Sequence, residues 1–194
     1  MESLIKWVAA LYLTFFTVNS FAQWTLDNSQ STINLVTTKA NVVAEVHTFS
    51  SMSGTITNKG QAQISIDLST IDTGIAIRDE RMKTLLFEIA QFPEAVITAE
   101  LEQKLVSNIQ PGMVRHIEAP ISLSLHGKVL EMTAVMLVSY LNNKTVLVSS
   151  AQPLIINASP FELLAGVEKL KAVAGLTSIS PAVPVYFHLI FTNK

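Results

Sequence analysis

The chain has 194 residues, with 13 lysines and arginines against 15 aspartates and glutamates, and a formal net charge of −2. That length supports one domain with a substantial core, and the charge balance gives nucleic acid no electrostatic attraction. Cysteine is absent, which removes disulfides, thiol nucleophiles and thiolate metal sites together.

Residues 1–22 have the pattern of a secretory leader. Lys6 supplies a basic start, Trp7 to Val18 forms an apolar or neutral run, and Ser20-Phe21-Ala22 puts small residues at the −3 and −1 positions of a cleavage site. The run is too short to span a bilayer comfortably. The mature chain is therefore expected to begin at Gln23, in the periplasm or outside the cell, with no stable membrane span once the leader is removed.

From residue 23 to 194 the dominant signal is short alternating strands, read here as one mainly β domain. Candidate strands are 25–26, 32–38, 44–50, 54–57, 62–67, 95–101, 116–125, 129–141, 145–156 and 184–192. Asn58-Lys59-Gly60, Pro111-Gly112, His126-Gly127 and Asn142-Asn143 punctuate them. Strands at this spacing form an antiparallel barrel or sandwich. Two segments break the pattern. Met82, Leu85, Leu86 and Ile89 fall on one helical stripe, and Asp79 precedes Lys83 by the favourable ion-pair spacing. Ser159-Pro160-Phe161-Glu162 matches a capping box with proline at the first helical position. Leu163, Leu164, Val167 and Leu170 follow as its stripe, and Gly175 as its stop.

The longest hairpin turns at His126-Gly127. Pairing across a two-residue turn places Leu125 opposite Lys128, Leu123 opposite Leu130, Ile121 opposite Met132, Ala119 opposite Ala134 and Ile117 opposite Met136. Opposed residues share a face, so one face is continuously apolar and carries no acid, base or nucleophile. If Asn142-Asn143 is also a two-residue turn, Met136 faces Ser149 and Val138 faces Leu147. The inner face then includes Tyr140 and Leu147, while Val135, Leu137, Val146 and Val148 form an outer apolar patch needing a cover. A slip of one residue would exchange the faces.

Nucleotide-binding and hydrolase signatures are missing, and the four histidines, His47, His116, His126 and His188, stand far apart in sequence. No catalytic residue, cofactor or metal site is expected. Arg78-Asp79-Glu80-Arg81 is the densest charge cluster. It is either a solvated helix start, or Arg78 and Arg81 meet an anionic headgroup at the mouth of a barrel.

The stretch Ile71-Asp72-Thr73-Gly74-Ile75-Ala76-Ile77-Arg78-Asp79-Glu80-Arg81-Met82, followed by Phe92-Pro93-Glu94-Ala95, resembles the signature of the YceI family. Trp24-Thr25-Leu26-Asp27, Ser31-Thr32-Ile33, Phe49-Ser50-Ser51-Met52-Ser53-Gly54 and Leu123-Ser124-Leu125-His126-Gly127 fit it as well. The resemblance implies an eight-stranded antiparallel lipocalin-like barrel with two short helices, export to the periplasm, a polyisoprenoid or fatty chain held inside, and homodimers. The family's turn usually reads Asn-Gly where this chain has His126-Gly127, and the helix over 159–175 is longer and more apolar than expected, either a cover for the outer patch or a lid.

Three functions follow. The first is a carrier of an amphipathic lipid, its interior lined by Ile33, Leu35, Phe49, Ile64, Ile66, Ile121, Leu123, Met132, Met136 and Phe187. The second is a ligand-free interaction module with a filled centre, acting through the outer patch. The third is an enzyme, for which the residues offer no catalytic set. The resemblance favours the first, but fold alone does not confer function.

Overall fold

The computed structural model describes residues 22–107 and 110–193. Apart from Ala22, the expected leader lies outside them. The strands are β1 (Ala22–Leu26), β2 (Thr32–Lys39), β3 (Val43–Phe49), β4 (Met52–Thr57), β5 (Gln61–Asp67), β6 (Ile71–Asp72), β7 (Glu94–Glu100), β8 (Val114–Leu125), β9 (Lys128–Asn142), β10 (Thr145–Ser150), β11 (Leu154–Asn157) and β12 (Ala182–Thr192). All pair antiparallel, in the order β1-β4-β5-β7-β8-β9-β10-β12, and β12 pairs back to β1. Eight strands thus close into a ring, the expected barrel, and closure removes the unpaired edges of an open sheet. β12 takes β10 and then β11 on one side. On its other side it takes β1 and then β2, which carries β3 and β6 beyond the ring.

The β8–β9 hairpin has the expected register, from Leu125 opposite Lys128 to Ile117 opposite Met136. His126 and Gly127 both have positive φ, 51° and 71°, the requirement of a type I′ turn. The next hairpin differs from expectation. Val138 faces Val148 and Met136 faces Ser150, with a bulge between Thr145 and Val146. Leu141, half exposed, is the added residue. It moves β10 by one place, so Val146 and Val148 point inward and Leu147 outward. A second correction concerns 145–156, which is two strands broken at Ala151-Gln152-Pro153.

The helical segments also depart in detail. α1 (Ala76–Arg81) runs directly into a π-turn over Met82–Leu86. Lys83 pairs with Glu80 at 2.9 Å, not with Asp79; Asp79 instead accepts hydrogen bonds from the Thr73 amide and hydroxyl. A short helix, α2 (Gln103–Ser107), was not anticipated. The capping box does not form. Ser159–Phe161 is a 3₁₀ turn, Glu162 is left-handed at φ 58°, and its carboxylate pairs with Lys128 at 2.7 Å. α3 therefore starts late, at Leu164, and ends at Val173. Its stop is the expected one: Gly175, at φ 64°, donates to Ala172 O and Leu176 to Lys171 O, the paired bonds of a Schellman ending. The inward stripe is Leu163 and Gly166, both buried, with Val167 and Leu170 half-buried, while Leu164 is exposed.

Candidate ligand-binding site

Alternation on every barrel strand sends one set of side chains inward, and these do not meet. With residues of β2 and β3 they enclose a cavity of about 260 Å³ lined by 41 residues, the rest from β11, the helical segments and adjoining loops. Small residues keep the centre open: Ala62, Ala95, Ala99 and Ala134 all lie in the wall. Nine of the ten residues expected to face inward line this space: Ile33, Leu35, Phe49, Ile64, Ile66, Ile121, Leu123, Met136 and Phe187. Met132 does not. It sits on the inner face of β9 but near its turn end, half-buried against the core beyond the cavity.

The two ends of the lumen are closed differently. At the end holding the β9–β10 turn, Leu105 and Val106 of α2 enter the wall. Tyr140, 1% exposed, donates its hydroxyl to Leu105 O at 2.8 Å and ties α2 down. Burial pushes the Tyr140 phenol above its ordinary pKa, so it remains a donor at neutral pH. The other end holds the β8–β9 turn and the β2–β3 tip. Here Met82, Leu86 and Phe87 line the lumen beside Leu163 and Val167 from the start of α3. Gly166 makes this crossing possible, since a Cβ there would lie 2.7 Å from Leu85 O and 2.9 Å from the Leu86 Cα. α3 thus stands as a lid over the lumen. His126 supports it from the turn: its ring packs against Phe92 in a tilted arrangement with centroids 4.4 Å apart, and Nδ1 lies 3.1 Å from Phe161 O.

Polarity changes along the inner face of the β2–β3 hairpin. Ile33 and Leu35 are followed by Thr37, paired across from Glu45, while Leu35 faces His47. His47 is 3% exposed and lies in the lumen wall. Its Nε2 is 2.8 Å from Thr37 Oγ1, and its buried Nδ1 has no partner among the described residues. Burial first, then the charge of Arg78, lowers the imidazole's pKa below its ordinary value, so the ring is neutral at pH 7. Next along the face, Glu45 Oε2 accepts from Arg78 at 2.6 Å and pairs with Lys39 at 2.9 Å. The hydrogen bond from Lys39, aided by the Arg78 charge, holds the Glu45 carboxyl below its ordinary pKa. Arg78 is thus engaged by Glu45, and neither Arg78 nor Arg81 lines the lumen.

In the sequence His47 stands out only as one of four histidines far apart along the chain. The signal that could have found it was parity, since Glu45, His47 and Phe49 share the inward face of β3. Leu105, Val106 and Trp24 were missed as wall residues because α2 is too short to show a period and β1 too short to show alternation. Among the described residues no group of three or more His, Asp or Glu could hold a metal ion, and no helix is long and apolar enough to cross a membrane.

A family model described as YceI-like domain matches residues 24–191. A polyisoprenoid binding domain from Saccharophagus degradans, implicated in plant cell wall breakdown, is similar in structure with a TM-score of 0.87 and 33% identity, over 90% of this chain and 100% of that one. Burkholderia cenocepacia BcnA shares the fold at a TM-score of 0.67 and 21% identity, over 85% of this chain and 98% of its own. A Campylobacter jejuni YceI protein shares it at a TM-score of 0.55 and 11% identity, over 76% of this chain and 84% of its own. No curated protein matches the sequence significantly.

Proposed function

The chain belongs to the YceI-like family, and from that premise we propose that it is an exported, non-enzymatic binding protein that encloses a long amphipathic lipid, isoprenoid in type, within its barrel. The observation that carries this reading is the wall itself. Of its 41 residues, only Thr37, His47, Ser180 and the indole of Trp24 bring side-chain oxygen or nitrogen. Ser180 is already bonded to the backbone of Ala182. Each methylene moved from water into such a lumen contributes about 0.8 kcal/mol, so a long chain needs few polar contacts. The polyisoprenoid binding by the 33%-identical relative supports the same ligand class. An open interior also separates this reading from an interaction module with a filled centre. Periplasmic residence and homodimerisation, implied by the family, complete the proposal.

Native mass spectrometry of the protein purified from its own host provides the test. The expected result is a non-covalent adduct that dissociates to a long-chain lipid in organic solvent. Consistently empty protein, with the interior collapsed in a crystal structure, would overturn the reading.

A further inference from the structure

We propose that Thr37 and His47 form the point in the lumen wall that receives the polar end of the ligand, and that this end is an uncharged oxygen group, a hydroxyl above all. This inference rests on the lipid-binding reading and specifies which lipid fits. The pair is a polar spot on an otherwise greasy surface. Thr37 Oγ1 and His47 Nε2 are 2.8 Å apart, and among the described residues neither hydroxyl nor ring has another hydrogen-bond partner. A buried polar atom without a partner is costly and uncommon in a folded protein. The atom a ligand oxygen would meet is Thr37 Oγ1, which keeps capacity for a second hydrogen bond beside the one it shares with His47 Nε2.

The chemistry of the pair suits a hydroxyl. If Nε2 carries the proton, it donates to Thr37, whose own hydroxyl hydrogen is then free for the ligand. If Nδ1 carries it, Thr37 donates to Nε2 and keeps lone pairs for a ligand donor. An alcohol satisfies either tautomer, whereas an ionised phosphate would accept only. Charge points the same way. The imidazole is neutral, and the nearest cations, Lys39 and Arg78, share Glu45 Oε2. A phosphate lodged at Thr37 would face that carboxylate and lose its hydration without gaining a free cation. Position completes the case. Thr37 and His47 lie between the apolar stretch of Ile33 and Leu35 and the ionic triad at the hairpin mouth. A chain lying in the lumen would therefore bring its polar end to them.

The test uses delipidated full chain and three probes: geranylgeraniol, its monophosphate and the corresponding C20 hydrocarbon, with affinities from native mass spectrometry competition. Thr37→Val keeps the shape and removes the hydroxyl. It is expected to weaken geranylgeraniol about fivefold, the worth of one neutral hydrogen bond, and to leave the hydrocarbon unchanged. Thr37→Ser is expected to restore the alcohol. In the wild-type protein the alcohol should displace the monophosphate, and it should shift the His47 imidazole ¹⁵N resonances, a readout that needs no variant. Tighter binding of the monophosphate, or equal losses of alcohol and hydrocarbon in Thr37→Val, would overturn the inference while leaving the lipid-binding reading intact. So would ¹⁵N resonances unmoved by the alcohol. Failure of all three probes to bind would overturn both.

Discussion

At the scale of the residue, the mouth is held by one carboxylate. Glu45 accepts from both Lys39 and Arg78, and so ties the tip of the β2–β3 hairpin to α1. Because the Lys39 hydrogen bond and the Arg78 charge lower the folded-state pKa of this carboxyl, its ionised form is favoured by folding. The resulting stabilisation is complete above the unfolded carboxylate pKa and is lost as pH falls through the lower folded-state value. Glu45→Gln has no such proton to bind. Urea midpoints measured between about pH 7 and pH 3 should therefore show the wild-type advantage over Glu45→Gln shrinking with acid. An advantage constant across that range would mean the triad contributes nothing through charge. His47 and Tyr140 show the same economy at either end of the lumen, each a buried polar side chain whose ionisation is suppressed by burial.

At the scale of the element, the lid depends on a close crossing. Gly166 of α3 lies so near Leu85 and Leu86 that any Cβ must move backbone, not a flexible side-chain end. Gly166→Val should push α3 off the π-turn, lowering stability by about 1–3 kcal/mol and speeding lipid exchange. Stopped-flow transfer of a fluorescent fatty chain to acceptor vesicles measures the second effect, and an unchanged off-rate would remove α3 from the lid role. How far such elements could be read from sequence depended on what fixes each one. The β8–β9 register was legible because a type I′ turn at His126-Gly127 pins it and four apolar pairs, from Leu123 opposite Leu130 to Ile117 opposite Met136, agree with it. The β9–β10 register was not, because the bulge lets Leu141 swing outward and nothing in Asn142-Asn143 announces an added residue. The capping box failed for a tertiary reason: Glu162 reaches Lys128 across the barrel end in place of its own helix terminus. α2 was invisible because five residues held by Tyr140 carry no period of their own.

At the scale of the whole molecule, the barrel combines a closed hydrogen-bonded wall with an underfilled centre. The ring β1-β4-β5-β7-β8-β9-β10-β12 satisfies its backbone without help from the lumen, while wall atoms facing the void forgo dispersion contacts that a ligand would supply. Occupancy and stability are therefore linked. A lipid at about one hundred times its Kd stabilises the folded state by about 2.7 kcal/mol, which corresponds to a rise in Tm of roughly 5–10 °C for a domain of this size. Delipidated protein should melt lower by that amount and recover on reloading. Ala99 separates this linkage from general tightening. It lies in the wall on β7 between Ile97 and Leu101 and is only half-buried, so Ala99→Leu can grow into the void without moving backbone. The variant should melt higher than wild type when empty and gain less on loading. A lower melting point for the empty variant, with the full ligand-induced rise retained, would mean the space beside Ala99 is not part of the lumen the ligand fills.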